Sequence, residues 1–270
     1  MLRATMATDA FVLVRDVPES FAQALSAHPP EPPIDVARAR QQHAAYVAAL
    51  ASLGLAVVRV GADEACPDCV FVEDTAVVAG GVVVLTRPGA PSRRPEVDGV
   101  ARALAARGAA ARTMDAPATL DGGDCLRLAA ARTIYVGRSE RTNAAGVAFL
   151  RDAVAARGWS VVEVAMPPGV LHLKSVCSPL DEHTVLVAEG TLPRGTFGDA
   201  RLVEVPRVEA AAANVVAYGR AALVAADGDR TAALVAAEGF RVVRVDTSEM
   251  RKADGALTCL SVIVDVESRS

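Results

Sequence analysis

One arrangement of secondary structure recurs along the chain: strand, hairpin, strand, helix, strand. Its two clearest copies span residues 68–114 and 118–166, with the elements in the same order. Residues 171–206 form a shorter copy without an obvious long helix, and residues 214–250 form a fourth. Repeats of this length predict an architecture in which each unit buries its apolar face against its neighbours.

A fifth unit completes the pattern only if the two ends of the chain meet. The C-terminal run "TCLSVIVDV" would pair with the N-terminal run "FVLVRDV", whose helix is "VARARQQHAAYVAALASLG". Because strands alternate with Ala-rich amphipathic helices closed by glycine, the fold class is α/β. We therefore predict a closed, five-bladed α/β propeller of ββαβ-type repeats, with residues 1–270 as a single domain.

Composition argues against several classes of partner. Of the 270 residues, 52% are hydrophobic and only 4% are aromatic, which suits a core of Val, Leu and Ala. The net charge of −4 provides no basic field for a phosphate backbone, so no nucleic-acid partner is expected. Only a short apolar run, ending in "FVLV", precedes Arg15, too short for a signal-peptide core or a membrane span. The sequence thus predicts a cytoplasmic protein without a membrane partner.

The cysteines show no disulfide framework. Their number, five, is odd and their spacing is irregular, which suits free thiols in a reducing compartment. The pair in "CPDC", Cys66 and Cys69, suggests a metal or redox site, but no second pair or nearby His completes a zinc set. We predict no metal site and no cofactor.

Polar residues cluster where four of the repeats begin. The segments are "PDCVFVED", "TLDGGD", "LHLKS" and "DGALTC". In a ring of repeats these starts converge on one end of the central axis. The sequence therefore predicts a functional site at that end.

Taken one at a time, these polar residues have ordinary structural explanations. A lone Cys259 is more often a small buried hydrophobe than a nucleophile, and His172 could be a satisfied core histidine. Asp121 could simply shape a glycine turn. Glu73 and Asp74 are harder to dismiss, because they follow "CVFV" as adjacent carboxylates inside a strand-like run, where an unpaired charge is costly.

Together, the same residues indicate a reaction class. A Cys with a His forms the nucleophile and the acid/base of covalent catalysis, and several carboxylates around them imply a cationic substrate. A metal ion is the rival cation. Mg²⁺ and Ca²⁺ sites are not normally built around a thiol, however, and zinc would consume the nucleophile.

Six motifs carry a resemblance to a known family. "FVEDTAVV", "TRPGAPSRR", "LDGGD", "GRSERTN", "LHLKS" and "DGALTC" together resemble the dimethylarginine dimethylaminohydrolases of the guanidine-modifying superfamily. The resemblance extends from about Phe11 to Val266, with the motifs in the same order. It implies the pentein fold, a five-bladed α/β propeller. It also implies hydrolysis of Nω-methylated arginine to citrulline and a methylamine, without a cofactor.

The resemblance assigns three catalytic roles. Cys259 matches the nucleophile, which attacks the guanidinium carbon and forms a thiouronium adduct. His172 matches the acid/base that protonates the departing amine and then activates water. Asp121 matches the carboxylate that binds a guanidinium nitrogen and orients the site.

The resemblance also suggests residues that bind the substrate. Glu73 and Asp74 match two further acidic residues at the same end of the ring, and Asp68 matches the residue near the α-amino group. Arg93 and Arg141 match the pair that holds the α-carboxylate, a role for which a planar guanidinium is well suited. Either arginine could instead be an ordinary surface charge.

Four more residues are expected at the rim of the site. Leu25 lies in a segment that resembles a mobile lid, and Phe71 is a candidate wall of the pocket that accepts methyl groups. Asp254 belongs to the turn that presents Cys259, and the backbone of Ala253 is a candidate acceptor for the substrate's amino group.

Two other functions remain open at the level of sequence. One is a sister activity, such as hydrolysis of unmethylated arginine to citrulline and ammonia, or action on another guanidine. The other is a non-catalytic binding protein on the same propeller, although such a protein would have no reason to keep Cys259, His172 and Asp121 together. The expected partner is a small molecule, and the chain is expected to be a monomer or a homodimer.

Overall fold

The structure, a computed structural model, describes residues 10–265. Within that range the chain forms fifteen β-strands and five α-helices. The strands are β1 Phe11–Arg15, β2 Ala56–Val60, β3 Ala76–Ala79, β4 Val82–Leu85, β5 Ala111–Thr113, β6 Cys125–Leu128, β7 Thr133–Gly137, β8 Ser160–Val164, β9 Cys177–Pro179, β10 Thr184–Ala188, β11 Arg201–Val205, β12 Val216–Tyr218, β13 Ala221–Ala225, β14 Arg241–Val245 and β15 Val262–Val264. The helices are α1 Val36–Ser52, α2 Glu96–Ala106, α3 Ala144–Ala155, α4 Asp229–Ala237 and α5 Ser248–Arg251.

The strands assemble into five three-stranded sheets, which are the blades of a ring. Their orders are β15-β1-β2, β3-β4-β5, β6-β7-β8, β9-β10-β11 and β12-β13-β14. In every sheet the first strand is antiparallel to the middle strand, and the third is parallel to it. The predicted five-bladed α/β propeller is confirmed.

The termini close the ring as the sequence predicted. β15 pairs with β1 in antiparallel register, with Phe11 opposite Val264 and Leu13 opposite Val262. Parallel neighbours need a crossover, and α1, α2, α3 and α4 provide it in four blades. The blade of β9-β10-β11 crosses over without an α-helix, in agreement with the shorter third repeat. Among residues 10–265, every helix is too short or too polar to traverse a lipid bilayer.

The core lies between neighbouring blades. Middle strands such as β1, β7, β10 and β13 are buried along their whole length, which explains why the sequence shows them as continuous apolar runs. One apolar cluster, which includes Val84 and Ile134, joins two adjacent blades. Another, which includes Leu186 and Val224, joins two more.

The starts of the blades differ from the prediction. Glu73 and Asp74 were expected inside a strand and Cys259 at the mouth of one, but all three lie in short 3₁₀ helices, Val72–Thr75 and Thr258–Leu260. Such turns also precede the first strands of the other three blades, at Gly122–Asp124, Leu173–Ser175 and Arg207–Ala213. The expectation failed because "CVFV" is apolar and β-branched although its backbone turns. These five turns lie at equivalent positions in the five blades.

Candidate active site

Four of the five turns at the blade starts contribute to the lining of a cavity of about 890 Å³, here named the front cavity. Ten of the twelve residues predicted from the sequence line it: Leu25, Asp68, Phe71, Asp74, Arg93, Arg141, His172, Ala253, Asp254 and Cys259. Asp121 is in direct contact with His172, and Glu73 lines a separate cavity that is bounded by the first strands of all five blades. The convergence expected from the repeats is therefore present.

His172 and Asp121 form a buried pair. The imidazole Nε2 lies 3.0 Å from Asp121 Oδ2, and Asp121 has no exposed surface. The other oxygen of Asp121 accepts a hydrogen bond of 2.8 Å from the Gly89 N–H. Gly123 allows this packing, because a Cβ there would lie 2.9 Å from the imidazole ring. Asp121 thus fixes the orientation of the ring.

The imidazole of His172 holds its proton at neutral pH. Burial alone would lower its pKa, but the negative charge of Asp74 and the hydrogen bond to Asp121 outweigh burial, and the pKa is raised to about 9. A protonated imidazole can donate a proton to a leaving group. The site is therefore poised for general acid catalysis.

Asp74 is held as a carboxylate between two blades. It accepts hydrogen bonds from the Gly123 N–H at 2.8 Å and from Arg93 Nη1 at 2.6 Å. Burial alone would raise its pKa, but the positive charges of His172 and Arg93 lower it to about 2. Asp74 is thus the main electrostatic partner of the His172 imidazolium.

Replacing Asp74 by asparagine is expected to lower the pKa of His172 below 9, because burial is then opposed by less negative charge. The alkaline limb of the kcat profile, where the imidazolium is lost, should move to lower pH. NMR titration of the His172 ring measures the shift directly. Asp152→Asn, which changes a surface carboxylate paired with Arg112, is the matched control and should leave the titration unchanged. An unaltered pKa in the Asp74 variant would contradict this account of the site.

Cys259 lies in the Thr258–Leu260 turn and is partly exposed to the front cavity. Its sulfur accepts a hydrogen bond of 3.4 Å from the Ala256 N–H. Burial and the negative charges of Glu73 and Asp74 raise the pKa of the thiol. The protein's own groups therefore favour the neutral thiol, whereas a cation bound beside the sulfur would favour the thiolate.

The two arginines have different environments. Arg93 is only 4% exposed and is engaged by Glu96 through Nε and Nη2, by Asp74 through Nη1, and by the Phe71 carbonyl. Arg141 is more open, with 22% of its side chain exposed, and its Nη1 lies 3.8 Å from Asp121 Oδ2. Arg93 is thus embedded in an ion-pair network, and Arg141 is the more accessible of the two.

Glu73 differs from its neighbour Asp74. It pairs with Lys174 Nζ and accepts a hydrogen bond of 2.8 Å from Thr258 Oγ1. Glu73, Lys174 and Thr258 line a cavity of about 640 Å³, here named the rear cavity, which is bounded by the first strands of all five blades. The substrate-binding role expected for Glu73 stays a prediction, since the carboxylate is shared between Lys174 and Thr258.

A loop segment covers the mouth of the front cavity through two carboxylates. The Leu25 N–H donates to Asp68 Oδ1 at 3.0 Å, and the Ala27 N–H donates to Asp254 Oδ2 at 2.6 Å. The Leu25 side chain remains 43% exposed at the rim. Asp254 adopts a left-handed φ of 56°, which turns the chain five residues before Cys259. The segment expected to be a lid therefore lies over the site and is fastened at two points.

Hydrogen bonds pass from blade to blade around the axis. Asp74 accepts from Gly123, and in the next blade Asp124 accepts from the Leu173 N–H at 3.0 Å. Asp124 is also bonded by Ser139 and Thr142. Asp124 therefore has a structural role, because it joins the turn of Gly122–Asp124 to the turn of Leu173–Ser175, which directly follows His172.

Asn214 continues this ring and was not among the predicted site residues. Its side chain donates to the Lys174 carbonyl at 2.8 Å and accepts from the Thr258 N–H at 2.9 Å. Thr258 in turn donates to Glu73, which returns the ring to the first blade. Asn214 begins the fourth repeat, so comparison of the repeat starts could have identified it. Glu96, which bonds Arg93, was not predicted either, and it does not lie at the start of a repeat where the sequence could have pointed to it.

The site also contains a cluster that could hold a metal ion. One ligand atom each from Asp74, Asp121 and His172 lies within 4.8 Å of the others. In the structure these atoms are occupied by one another and by Arg93, since His172 bonds Asp121 and Arg93 bonds Asp74. The two carboxylates of the cluster are therefore each paired with a positively charged side chain of the protein, Asp121 with His172 and Asp74 with Arg93.

Comparison with known proteins agrees with this arrangement. The family model described as N,N dimethylarginine dimethylhydrolase, eukaryotic, matches residues 31–261. An N(G),N(G)-dimethylarginine dimethylaminohydrolase of Streptomyces coelicolor is 42% identical over 252 residues, which cover 93% of this chain and 95% of the relative. The chain belongs to the dimethylarginine dimethylaminohydrolase family. The resemblance drawn from the six motifs is confirmed.

Two solved structures of dimethylarginine dimethylaminohydrolases share the fold. One, from Pseudomonas aeruginosa, is a cysteine-to-serine variant complexed with citrulline; it is 32% identical, with a TM-score of 0.88 over 94% of this chain and 98% of that chain. The other is a histidine-to-glycine variant as an adduct with S-methyl-L-thiocitrulline, 32% identical with a TM-score of 0.87 over 94% and 98%. The similarity to the dimethylarginine dimethylaminohydrolase family is thus seen in the structure of the whole propeller as well as in the sequence.

Proposed function

We propose that the chain hydrolyses Nω-methylated arginine, both asymmetric dimethylarginine and monomethylarginine, to citrulline and a methylamine. The observation that carries the proposal is the meeting of Cys259 with the His172–Asp121 pair at one cavity, in a member of this family. The citrulline complex and the thiocitrulline adduct of two relatives support the same reaction and a covalent route.

The first half of the reaction forms the adduct. The guanidinium enters beside Cys259, and its positive charge favours the thiolate, whose proton passes to solvent. The sulfur attacks the guanidinium carbon, and a new C–S bond forms. The C–N bond to the methylated nitrogen then breaks, and the imidazolium of His172 gives its proton to the departing amine.

The second half releases citrulline. His172, now neutral, takes a proton from a water molecule, whose oxygen attacks the thiouronium carbon. The C–S bond breaks and regenerates the thiolate, the added hydroxyl group loses its remaining proton to solvent, and the product keeps the oxygen as the carbonyl of its ureido group. Asp121 holds the imidazole in place through both proton transfers, and Asp74 keeps its pKa high enough for the first.

The surrounding residues are assigned by accessibility and charge. Arg141 binds the α-carboxylate, since it is the more accessible arginine, and Arg93 acts mainly by fixing Asp74. Asp68 lies at the rim and binds the α-amino group together with the backbone of Ala253. Phe71 forms a wall of the pocket.

The setting of the reaction is part of the same proposal. The five cysteines are all free thiols, which suits a cytoplasmic enzyme in a reducing compartment. The active unit is a monomer or a homodimer, because each propeller carries Cys259, His172 and Asp121 in a single chain.

A substrate panel tests the proposed activity. The protein is incubated separately with asymmetric dimethylarginine, monomethylarginine, arginine and agmatine, and the ureido product and released amine are quantified. The highest kcat/KM is expected for the two methylated arginines. Preference for unmethylated arginine would make the chain an arginine deiminase-like enzyme, and binding without turnover of any compound would make it a non-catalytic propeller.

Activation of the thiol by substrate gives a separate prediction. A lysine derivative, which carries a cation but no guanidinium carbon, should shift the pH dependence of Cys259 alkylation to lower pH. The reason is that burial, Glu73 and Asp74 raise the pKa of the thiol, whereas a bound cation favours the thiolate. Citrulline, whose ureido group is uncharged, is the control and should not produce the shift. An identical curve with the cation and with citrulline would refute activation by charge.

A further inference from the structure

Tyr46 holds the turn that carries Cys259 from the side of α1. The tyrosine is fully buried, and its Oη lies 2.8 Å from the Leu257 carbonyl oxygen and 2.7 Å from Ser261 Oγ. A carbonyl can only accept, so the Tyr46 O–H donates to Leu257 and the Ser261 O–H donates to Tyr46. These two contacts lie on either side of the Thr258–Leu260 turn. One phenol oxygen thus fixes both ends of the nucleophile's turn.

Asn214 holds the same turn from the neighbouring blade. It accepts from the Thr258 N–H at 2.9 Å and donates to Thr258 Oγ1 at 3.0 Å. Its third contact, 2.8 Å to the Lys174 carbonyl, reaches the turn that follows His172. Asn214 therefore sets the distance between the backbone that carries the nucleophile and the backbone that carries the acid/base.

The helix does not need the tyrosine oxygen in order to pack. α1 is anchored by the buried side chains of Ala39, Val47 and Leu50, which belong to one apolar cluster with the ring of Tyr46. The polar contacts of Tyr46 go to the backbone and side chain of one segment, Leu257 to Ser261. The hydrogen bonds of the Tyr46 hydroxyl therefore act mainly on the turn that carries Cys259.

We propose that Tyr46 and Asn214 are positioning residues for the covalent step: they clamp the Thr258–Leu260 turn from two sides and so place the sulfur of Cys259 against the substrate carbon. The inference rests on the proposed function. Misplacing a reacting atom by about 1 Å can cost on the order of 100-fold in rate, so the loss of one clamp is expected to affect turnover more than binding.

Tyr46→Phe tests the clamp, because it removes one oxygen and keeps the ring. We expect kcat to fall by about 10- to 100-fold while KM changes by less than about twofold. Adduct formation in a single turnover should slow by the same factor. Assays are run well below the unfolding midpoint of each variant. Asn214→Ala should show the same split between kcat and KM.

The control is Tyr135→Phe. Tyr135 is also buried and packs edge-on against Phe197, but in another blade and outside the front cavity. It should lower the unfolding midpoint at most, without affecting kcat. If Tyr46→Phe also lowers only the unfolding midpoint, Tyr46 is a structural residue and the inference is wrong.

If Tyr46→Phe fails to fold, Ser261→Ala takes its place, because it removes only the hydroxyl that donates to Tyr46. The same fall in kcat with little change in KM is expected from it. A wild-type protein that makes no citrulline would instead refute the proposed function.

Discussion

Replacing Cys259 by serine is expected to lower kcat by about 10⁵- to 10⁶-fold, the scale of loss when the nucleophile of a covalent enzyme is removed. A hydroxyl is a much weaker nucleophile than a thiolate, and the hydroxyl of Thr258 in the same turn is already donated to Glu73. Binding should change little, because the carboxylates and Arg141 that surround the substrate are untouched. Calorimetry with asymmetric dimethylarginine should therefore give a Kd near the KM of the unaltered protein.

The matched control for this substitution is Cys177→Ser. The Cys177 thiol is buried outside the front cavity and contacts the Leu173 carbonyl at 3.2 Å, a contact that a serine hydroxyl can keep. Full activity is expected from this variant. Turnover by Cys259→Ser within a few-fold of the unaltered protein would remove Cys259 from the mechanism.

Replacing His172 by glycine is expected to lower kcat for dimethylarginine by about 10²- to 10⁴-fold or more, since each proton transfer in the mechanism depends on the imidazole. In this variant, the rate of adduct formation should depend on the leaving group, whereas the rate of adduct hydrolysis should not. With S-methyl-thiocitrulline the leaving group is a thiol, which needs less help from an acid than an amine does. The adduct on Cys259 should then form and persist, because no base activates water to hydrolyse it.

Intact-protein mass spectrometry measures this accumulation. Imidazole added to the His172→Gly variant should restore part of the hydrolysis by entering the vacated space beside Asp121. His183→Gly, at the rim of the rear cavity, is the control and should behave as the unaltered protein. An adduct that is hydrolysed at the normal rate in the His172 variant would assign the base to another residue.

The repeat pattern made the fold predictable. Each blade gives the same succession of apolar runs, and the closure by β15 and β1 follows from the unpaired runs at the two ends. The pattern also places the polar starts at one end of the axis, so the sequence alone predicts that Cys259, His172 and Asp121 lie together. Local sequence and periodicity were sufficient for these conclusions.

Other features depend on contacts between distant parts of the chain. The run "CVFV" predicts a strand, but the chain forms the 3₁₀ turn Val72–Thr75 there, and Val72 packs in an apolar cluster with strands of two blades. The sequence does not reveal which of the adjacent Glu73 and Asp74 faces the front cavity, since the turn decides it. Nor does it show that Arg93 is enclosed by Glu96 and Asp74, a state that only packing produces.

The residues that support the nucleophile were the hardest to foresee. Tyr46 lies 213 positions before Cys259 in the chain and reads locally as one apolar residue on the buried side of α1. Only the folded ring brings its hydroxyl to Leu257 and Ser261. A local motif search identifies groups that react, but residues that position them are found from long-range hydrogen bonds.

The most direct test of the account is to trap the intermediate on the unaltered protein. Asymmetric dimethylarginine is mixed with the enzyme, the reaction is quenched with acid within one turnover, and peptides are analysed by mass spectrometry. The account predicts a mass increase equal to the substrate less dimethylamine, confined to the peptide that contains Cys259 and absent from Cys259→Ser. Formation of citrulline at the normal rate with no such adduct, or with the adduct on another cysteine, would contradict it.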